Sequence, residues 1–392
     1  MKTNEQLCAV VNLDESESKL MPLTKRRALA ALPFGSRYRL IDFPLSSLYS
    51  AEVNSVALFV RGSARALLDH VRSGYPWGME STVGGGLFIH AGAEFKEALE
   101  KLEPDQISSY YQDQIDFVRH SKKEYVVVMG SKMLCNVDLK AVLRSHIANE
   151  ADITVVYKNV TREFCLPDSI ANCLTFEVEG ESKLADLLPA CEIPKKETKL
   201  AVGMGIAIMK TDKFIELTNE AANNRIKGDI NVLIKHSLKK NTVHGYEYTG
   251  YLKNIETISS YYEANMDLLD EDNYNALFYR SQPVITKVKN GAPTYYSKEA
   301  VITNSQFASD CVIDGIVEDS IVFRKVTIEK TAIVRHSLIM QGSKIAEGAE
   351  LDYVILDKGV KIGPGVKLKG TKKNPLVVEK NREINVEKGV EK

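Results

Sequence analysis

Cysteine is scarce and scattered in this chain of 392 residues: there are six, Cys8, Cys135, Cys165, Cys173, Cys191 and Cys311, with no C-x-x-C pair. Nor does a histidine stand beside them at metal-ligand spacing. That excludes a disulfide framework and a zinc site of the usual pattern, and predicts free thiols in a reducing cytoplasm. An excess of charge of either sign is also missing. Lysine plus arginine total 51 and aspartate plus glutamate 52, a formal net charge of -1, which leaves no electrostatic footprint for nucleic acid. No apolar run approaches the roughly 20 residues that cross a bilayer. The short run Leu7–Leu13 is interrupted by Asn12 and followed by no small-residue cleavage site, so it is not read as a secretion signal. The expectation is a cytoplasmic protein with neither membrane nor nucleic acid as a partner.

What is present is an ordinary globular balance, 44% apolar and 26% charged residues, in a length that favours two domains. In the first two-thirds, short aliphatic runs at 7–11, 55–60, 125–129, 153–157 and 206–209 alternate with amphipathic segments such as 64–72 and 139–149. This alternation predicts parallel strands with crossover helices. Ligands of such sheets bind beyond the carboxyl ends of strands, so chemistry is expected in the loops after Val11 and Met129. The last third has another rhythm. Apolar residues recur at six-residue steps: Val301, Phe307, Ile313; Val322, Ile328, Val334; Ile339, Ile345, Leu351; Val354, Val360, Val366. Three sixes make an 18-residue triangular coil of a parallel β-helix, with loops expected where the phase slips between triplets. The competing reading is an ordinary β-rich domain with chance spacing. The expected boundaries are 1–280 for the α/β domain, 281–294 for a linker, 295–376 for the β-helix and 377–392 for a tail.

Two segments go further, PLTKRRALAALPFGSRYRLIDFPLSS at 22–47 and YLKNIETISSYYEANMDLL at 251–269. Both closely resemble the bacterial glucose-1-phosphate adenylyltransferase family, which makes ADP-glucose and pyrophosphate from ATP and glucose 1-phosphate for glycogen synthesis. The resemblance runs from about Leu7 to Gly370. It implies a GT-A-like, Rossmann-like, mostly parallel nucleotidyltransferase sheet followed by a left-handed parallel β-helix of hexapeptide repeats.

The departures from the family pattern carry the functional information. The family's phosphate loop reads G-G-x-G-x-R-L; here the glycine positions hold Asp14, Glu15 and Glu17, and Lys19 replaces the arginine. Side chains block the backbone approach that glycine permits, carboxylates oppose a polyanion, and lysine lacks the planar fork of arginine. Taken alone, the same acidic stretch reads as a solvated loop. Ser131 and Asn254 stand where the family has magnesium-binding aspartates, and Leu29, Arg61 and Ile193 where it has a lysine, an adenine-reading glutamine and a second lysine. Gln106, Ile107 and Ser108 match its glucose-binding G-T-A. Asp138 and Asp229 are read as surface or capping carboxylates. The resemblance is closest to the family's non-catalytic D-type subunits. It implies a chain that binds no metal or cofactor, regulates a catalytic C-type partner carrying Mg2+ in a heterotetramer, and can self-associate when alone.

Arg26, Arg27, Arg37 and Arg39 form a basic cluster. Family positions matching Arg26 and Arg39 help bind a sugar-phosphate activator, so the four imply an effector site; the competing reading is surface or subunit-bridging arginines. Gly84-Gly85-Gly86 is read as a turn, since no Lys-Ser/Thr follows it. Two rival functions stay open, a working sugar-1-phosphate nucleotidyltransferase with a remodelled site, and a hexapeptide acyltransferase using His336.

Overall fold

The computed structural model describes residues 6–15, 17–61, 63–80, 85–92, 104–164, 172–177, 182–226, 228–279 and 282–386. They divide into two compact units, each assembled from separate stretches of chain. The first comprises Met1–Glu15, Ile41–Leu252 and Phe278–Ile285; the second comprises Ser16–Leu40, Lys253–Leu277 and Thr286–Lys392.

The first unit is built on a nine-stranded sheet. Its strands are β1 (Leu7–Leu13), β2 (Ser55–Arg61), β3 (Gly86–Gly92), β4 (Tyr125–Met129), β5 (Ile153–Thr161), β6 (Asn172–Phe176), β7 (Leu184–Pro189), β8 (Lys199–Lys210) and β9 (Val243–Glu247). Their order is β7-β6-β8-β4-β1-β2-β3, with β5 pairing β8 and β9 pairing β5. The central β1 and β4 are near-continuous apolar runs, and every residue of β4 is buried, as a strand covered on both faces requires. Phe117 and Val118 from helix α1 (Pro104–Ser121) and Phe214 and Leu217 from α2 (Thr211–Asn223) enter one core with Val126, Val128 and Val155.

The strands at 153–157 and 206–209, expected to be parallel, are antiparallel partners: Ile153 pairs with Met209 and Thr154 with Ile208. A parallel return needs a crossover of a dozen or more residues, usually a helix. The chain between β5 and β8 instead forms the antiparallel pair β6–β7. The sheet is therefore mixed, with parallel pairing along β4-β1-β2-β3 and between β5 and β9.

The second unit contains the left-handed parallel β-helix, three sheets of six, five and five short strands. Its first ladder runs Val312, Thr327, Lys344, Lys361, steps of 15, 17 and 17 residues. The regular coil is thus 17 residues, with one of 15 ahead of it, not the expected 18. Inward positions follow Val322, Ile328, Val334, then Ile339, Ile345, Leu351, then Leu356, so one side of each triangle is a residue short. That side turns at Asp319, His336 and Tyr353, whose φ values are 45°, 43° and 55°. A left-handed corner residue closes the turn tightly, so these phase slips are corners rather than loops. The chain lengthens between Lys367–Lys369 and Leu376–Val378, where Thr371 and Asn374 bridge. Val301, expected in the core, is 50% exposed because its strand is the first of its sheet and no coil covers it. Strand Glu383–Ile384 extends the ladder inside the stretch read as a tail; residues 387–392 lie outside the described residues.

The same unit joins the two segments that carried the family resemblance. The Tyr261 hydroxyl donates to the Pro33 carbonyl, and the Gly35 N–H donates to Asn265 Oδ1 at 3.0 Å. Gly35 has φ +51°, and a Cβ there would lie 2.7 Å from Leu268. Helix α3 (Ile258–Met266) presents Tyr261 and Asn265 from a capping box, in which the Thr257 side chain accepts from the Ser260 N–H and the Ser260 side chain accepts from the Thr257 N–H.

Candidate functional site

The loops after β1 and β4 adjoin because those strands are parallel neighbours, Val11 beside Met129. Glu15 uses that proximity. Its Oε1 accepts from the Ser131 N–H at 2.7 Å and the Lys132 N–H at 2.6 Å, and its Oε2 accepts from the Ser131 hydroxyl at 2.6 Å. Two successive backbone N–H groups form an anion-binding concavity, and a side chain of the chain itself fills it. Only glycine fits beneath: a Cβ on Gly130 would lie 2.4 Å from Glu15 Oε1. Burial pushes the Glu15 carboxyl up to about 7, against the three hydrogen bonds, with a smaller push from Asp14. Beside exposed Asp14, Asn12 accepts from Gln114 at 3.1 Å, and the void they line is about 10 Å³, room for about one water.

The other expected positions are tied within the second unit. Glu17 Oε1 accepts from the Leu29 N–H at 2.8 Å. The Leu29 side chain is buried. Lys19 lies 3.6 Å from Glu256, whose other oxygen accepts from Asn254 Nδ2 at 3.1 Å. In the first unit Ile193 is packed with Cys173, Leu200 and Val202. Asp138 and Asp229 are N-caps, accepting from Ala141 and from Asn231 and Val232. Gly86 opens β3, while Gly84 lies outside the described residues, as do the side chains of Arg61, Gln106, Ile107 and Ser108.

Of the four arginines, the structure takes one into the interior. Arg27 is 4% exposed and paired through Nη2 with Asp357 of the β-helix, while its buried Nη1 has no hydrogen-bond partner. Asp357 is followed by Lys358, a residue that sequence reasoning missed. Burial first, then the charges of Arg39, Arg27 and Lys289, push the Lys358 amine down to about 7; Asp357 offsets this in part. Arg39 is half-buried, and Arg26 and Arg37 are exposed. The available signal was a charged Asp-Lys pair directly after the inward-facing Leu356, where a coil turns its corner.

His336 is held at another corner. Its ring stacks on Tyr353 with centroids 4.5 Å apart, Nδ1 lies 2.9 Å from Asp352 Oδ1, and Nε2 lies 3.7 Å from Asp319 Oδ2. Both nitrogens face carboxylates, an arrangement that fixes the ring.

The sequence matches the nucleotidyl transferase family over residues 16–271 and the GlmU-like C-terminal hexapeptide family over 292–374. It is 31% identical over 379 residues to glycogen biosynthesis protein GlgD of Bacillus subtilis, covering 96% of both chains. It is 32% identical to the GlgD protein of Geobacillus stearothermophilus, over 96% of this chain and 97% of that one. A glucose-1-phosphate adenylyltransferase of Bacillus cytotoxicus is 27% identical over 92% of this chain and 94% of its own. The chain therefore belongs to the nucleotidyl transferase family, in the group that holds the GlgD proteins and the glucose-1-phosphate adenylyltransferases.

Proposed function

We propose that this chain acts in glycogen biosynthesis as the regulatory, non-catalytic subunit of a glucose-1-phosphate adenylyltransferase, assembled with a catalytic subunit in the cytoplasm. The observation that carries this reading is the Glu15 carboxylate seated on Ser131 and Lys132. Adenylyl transfer brings a polyphosphate and its Mg2+ to the loops after the first and central strands. In this chain one of those loops is filled by the other's carboxylate. Mg2+ prefers anionic oxygen ligands, but the matching positions offer a serine whose hydroxyl is spent on Glu15 and a neutral amide bound to Glu256. Neither residue, taken in its own unit, supplies an anionic oxygen to the ion.

The chain's contribution is then regulatory. The corner of Arg27, Arg39 and Lys358 is suited to a phosphate or sugar-phosphate effector: it is basic, partly buried, and holds an unpartnered guanidinium N–H. Guanidinium donates paired hydrogen bonds to phosphate, and an effector raises a partner's activity only by binding one quaternary state better than another. The test is to co-express the catalytic subunit with this chain carrying Arg39→Ala and Lys358→Ala, and to titrate sugar phosphates. Reduced activation at equal assembly is expected; superimposable curves would reject the effector site.

A further inference from the structure

A groove of about 760 Å³ runs within the second unit between helix α3, with the turn after it, and one corner column of the β-helix. It is a different column from the one bearing Asp357 and Lys358, and it plays no part in the function proposed above. The volume falls in the roughly 300–1,000 Å³ range of small-molecule sites. One wall is a ladder of residues that all hold left-handed φ, Asn304, Asp319, His336 and Tyr353. Asn304 Nδ2 donates to Asp319 Oδ1 at 2.7 Å, Asp319 faces His336, and His336 stacks on Tyr353. The Tyr262 hydroxyl ties α3 to this wall by donating to the His336 carbonyl at 2.7 Å. The ladder is thus built, rather than a chance gathering of surface groups.

The lining identifies the chemistry. On the helix side, Glu263 and Asp267 share Lys253 at 3.2 and 3.3 Å. Asp270 and Asp319 add carboxylates, and Lys372 a second amine. A polyanion would meet four carboxylates against two lysines. A polycation would meet those lysines together with carboxylates already paired or hydrogen-bonded. A hydroxyl group both donates and accepts, and it suits walls where carboxylate oxygens alternate with amide, imidazole and amine donors. The His336–Tyr353 stack adds a ring surface for the apolar C–H edges of a sugar. We propose that this groove binds a neutral, hydroxyl-rich ligand, a short oligosaccharide or the end of a longer one.

The test uses the full chain and saturation-transfer NMR with maltotriose as the probe, with spermidine and inorganic phosphate as the cationic and anionic alternatives. Maltotriose should bind with a roughly millimolar Kd. Asn273→Trp, a partly buried surface position on the groove rim, should abolish the transfer without altering thermal melting. Tyr353→Ala should weaken it by about tenfold or more, a loss of about 1.4 kcal/mol. Absence of transfer at about 10 mM maltotriose, or equal transfer in the wild type and the Asn273→Trp variant, would overturn the proposal. Loss of the maltotriose signal on adding spermidine or phosphate would assign the groove to an ion and overturn it equally.

Discussion

Glu15 places a carboxylate where burial opposes ionisation and three donors favour it. Its folded pKa of about 7 lies above the ordinary carboxylate value, so its contribution to stability is greatest at low pH and is lost as pH rises to about 7. Glutamine keeps an acceptor and cannot ionise. Glu15→Gln should therefore raise the melting temperature more at pH 8 than at pH 5, by a few degrees at about 1 kcal/mol. An equal change at both pH values would remove the burial argument. Lys358 obeys the opposite sign. Burial first, then the charges of Arg39, Arg27 and Lys289, hold its amine down to about 7, with Asp357 opposing. A bound phosphate favours the protonated amine, so binding should take up protons. Calorimetry of inorganic phosphate at pH 6.5 and pH 8 should give the tighter Kd at the lower pH, with the difference absent in Lys358→Met. Glu15's partners lie 116 and 117 residues away, yet the contact joins the two loops, after Val11 and Met129, in which the sequence placed the chemistry; that their strands are neighbours came from the structure. From sequence Glu15 reads as an obstruction; that its carboxylate seats on the Ser131 and Lys132 N–H groups was not legible.

The β-helix was legible because its inward positions must be apolar whatever else varies, and eleven of the twelve residues named from sequence lie in or against its core, Val301 being the exception. The 17-residue coil was not legible, because the shortened side depends on Asp319, His336 and Tyr353 adopting φ near 50°. Glycine would have announced that conformation; these residues do not. The antiparallel β5–β8 pair was missed for a related reason, since short apolar runs reveal burial without direction. Coil position also sets the cost of a cavity. Ile339 is fully buried between coils, and Ile339→Ala should cost ~2–5 kcal/mol. Val301→Ala, on the uncovered first coil, should stay within ~0.5 kcal/mol. Urea denaturation of the two variants measures both, and equal losses would contradict the coil order.

At the scale of the molecule, the segments that carry the family resemblance persist for a structural reason. Residues 22–40 and 253–269 pack on one another through Tyr261, Asn265 and Gly35, and Arg27 reaches Asp357 in the β-helix. A chain cut near residue 290 would leave Arg27 buried against nothing and strip its unit of most of its core, so it should be recovered as insoluble protein. Soluble, cooperatively melting material would contradict this. The proposed function assigns a division of labour to these segments: the packing residues hold the fold, and Asp14, Glu15, Glu17, Ser131 and Asn254, the positions expected from sequence to have lost the reacting groups, supply no chemistry. The most direct measurement is ADP-glucose formation from ATP, glucose 1-phosphate and Mg2+ by the purified chain, free of any partner subunit. The account predicts no product above background. Turnover within about tenfold of a catalytic relative, a barrier difference of only about 1.4 kcal/mol, would contradict it.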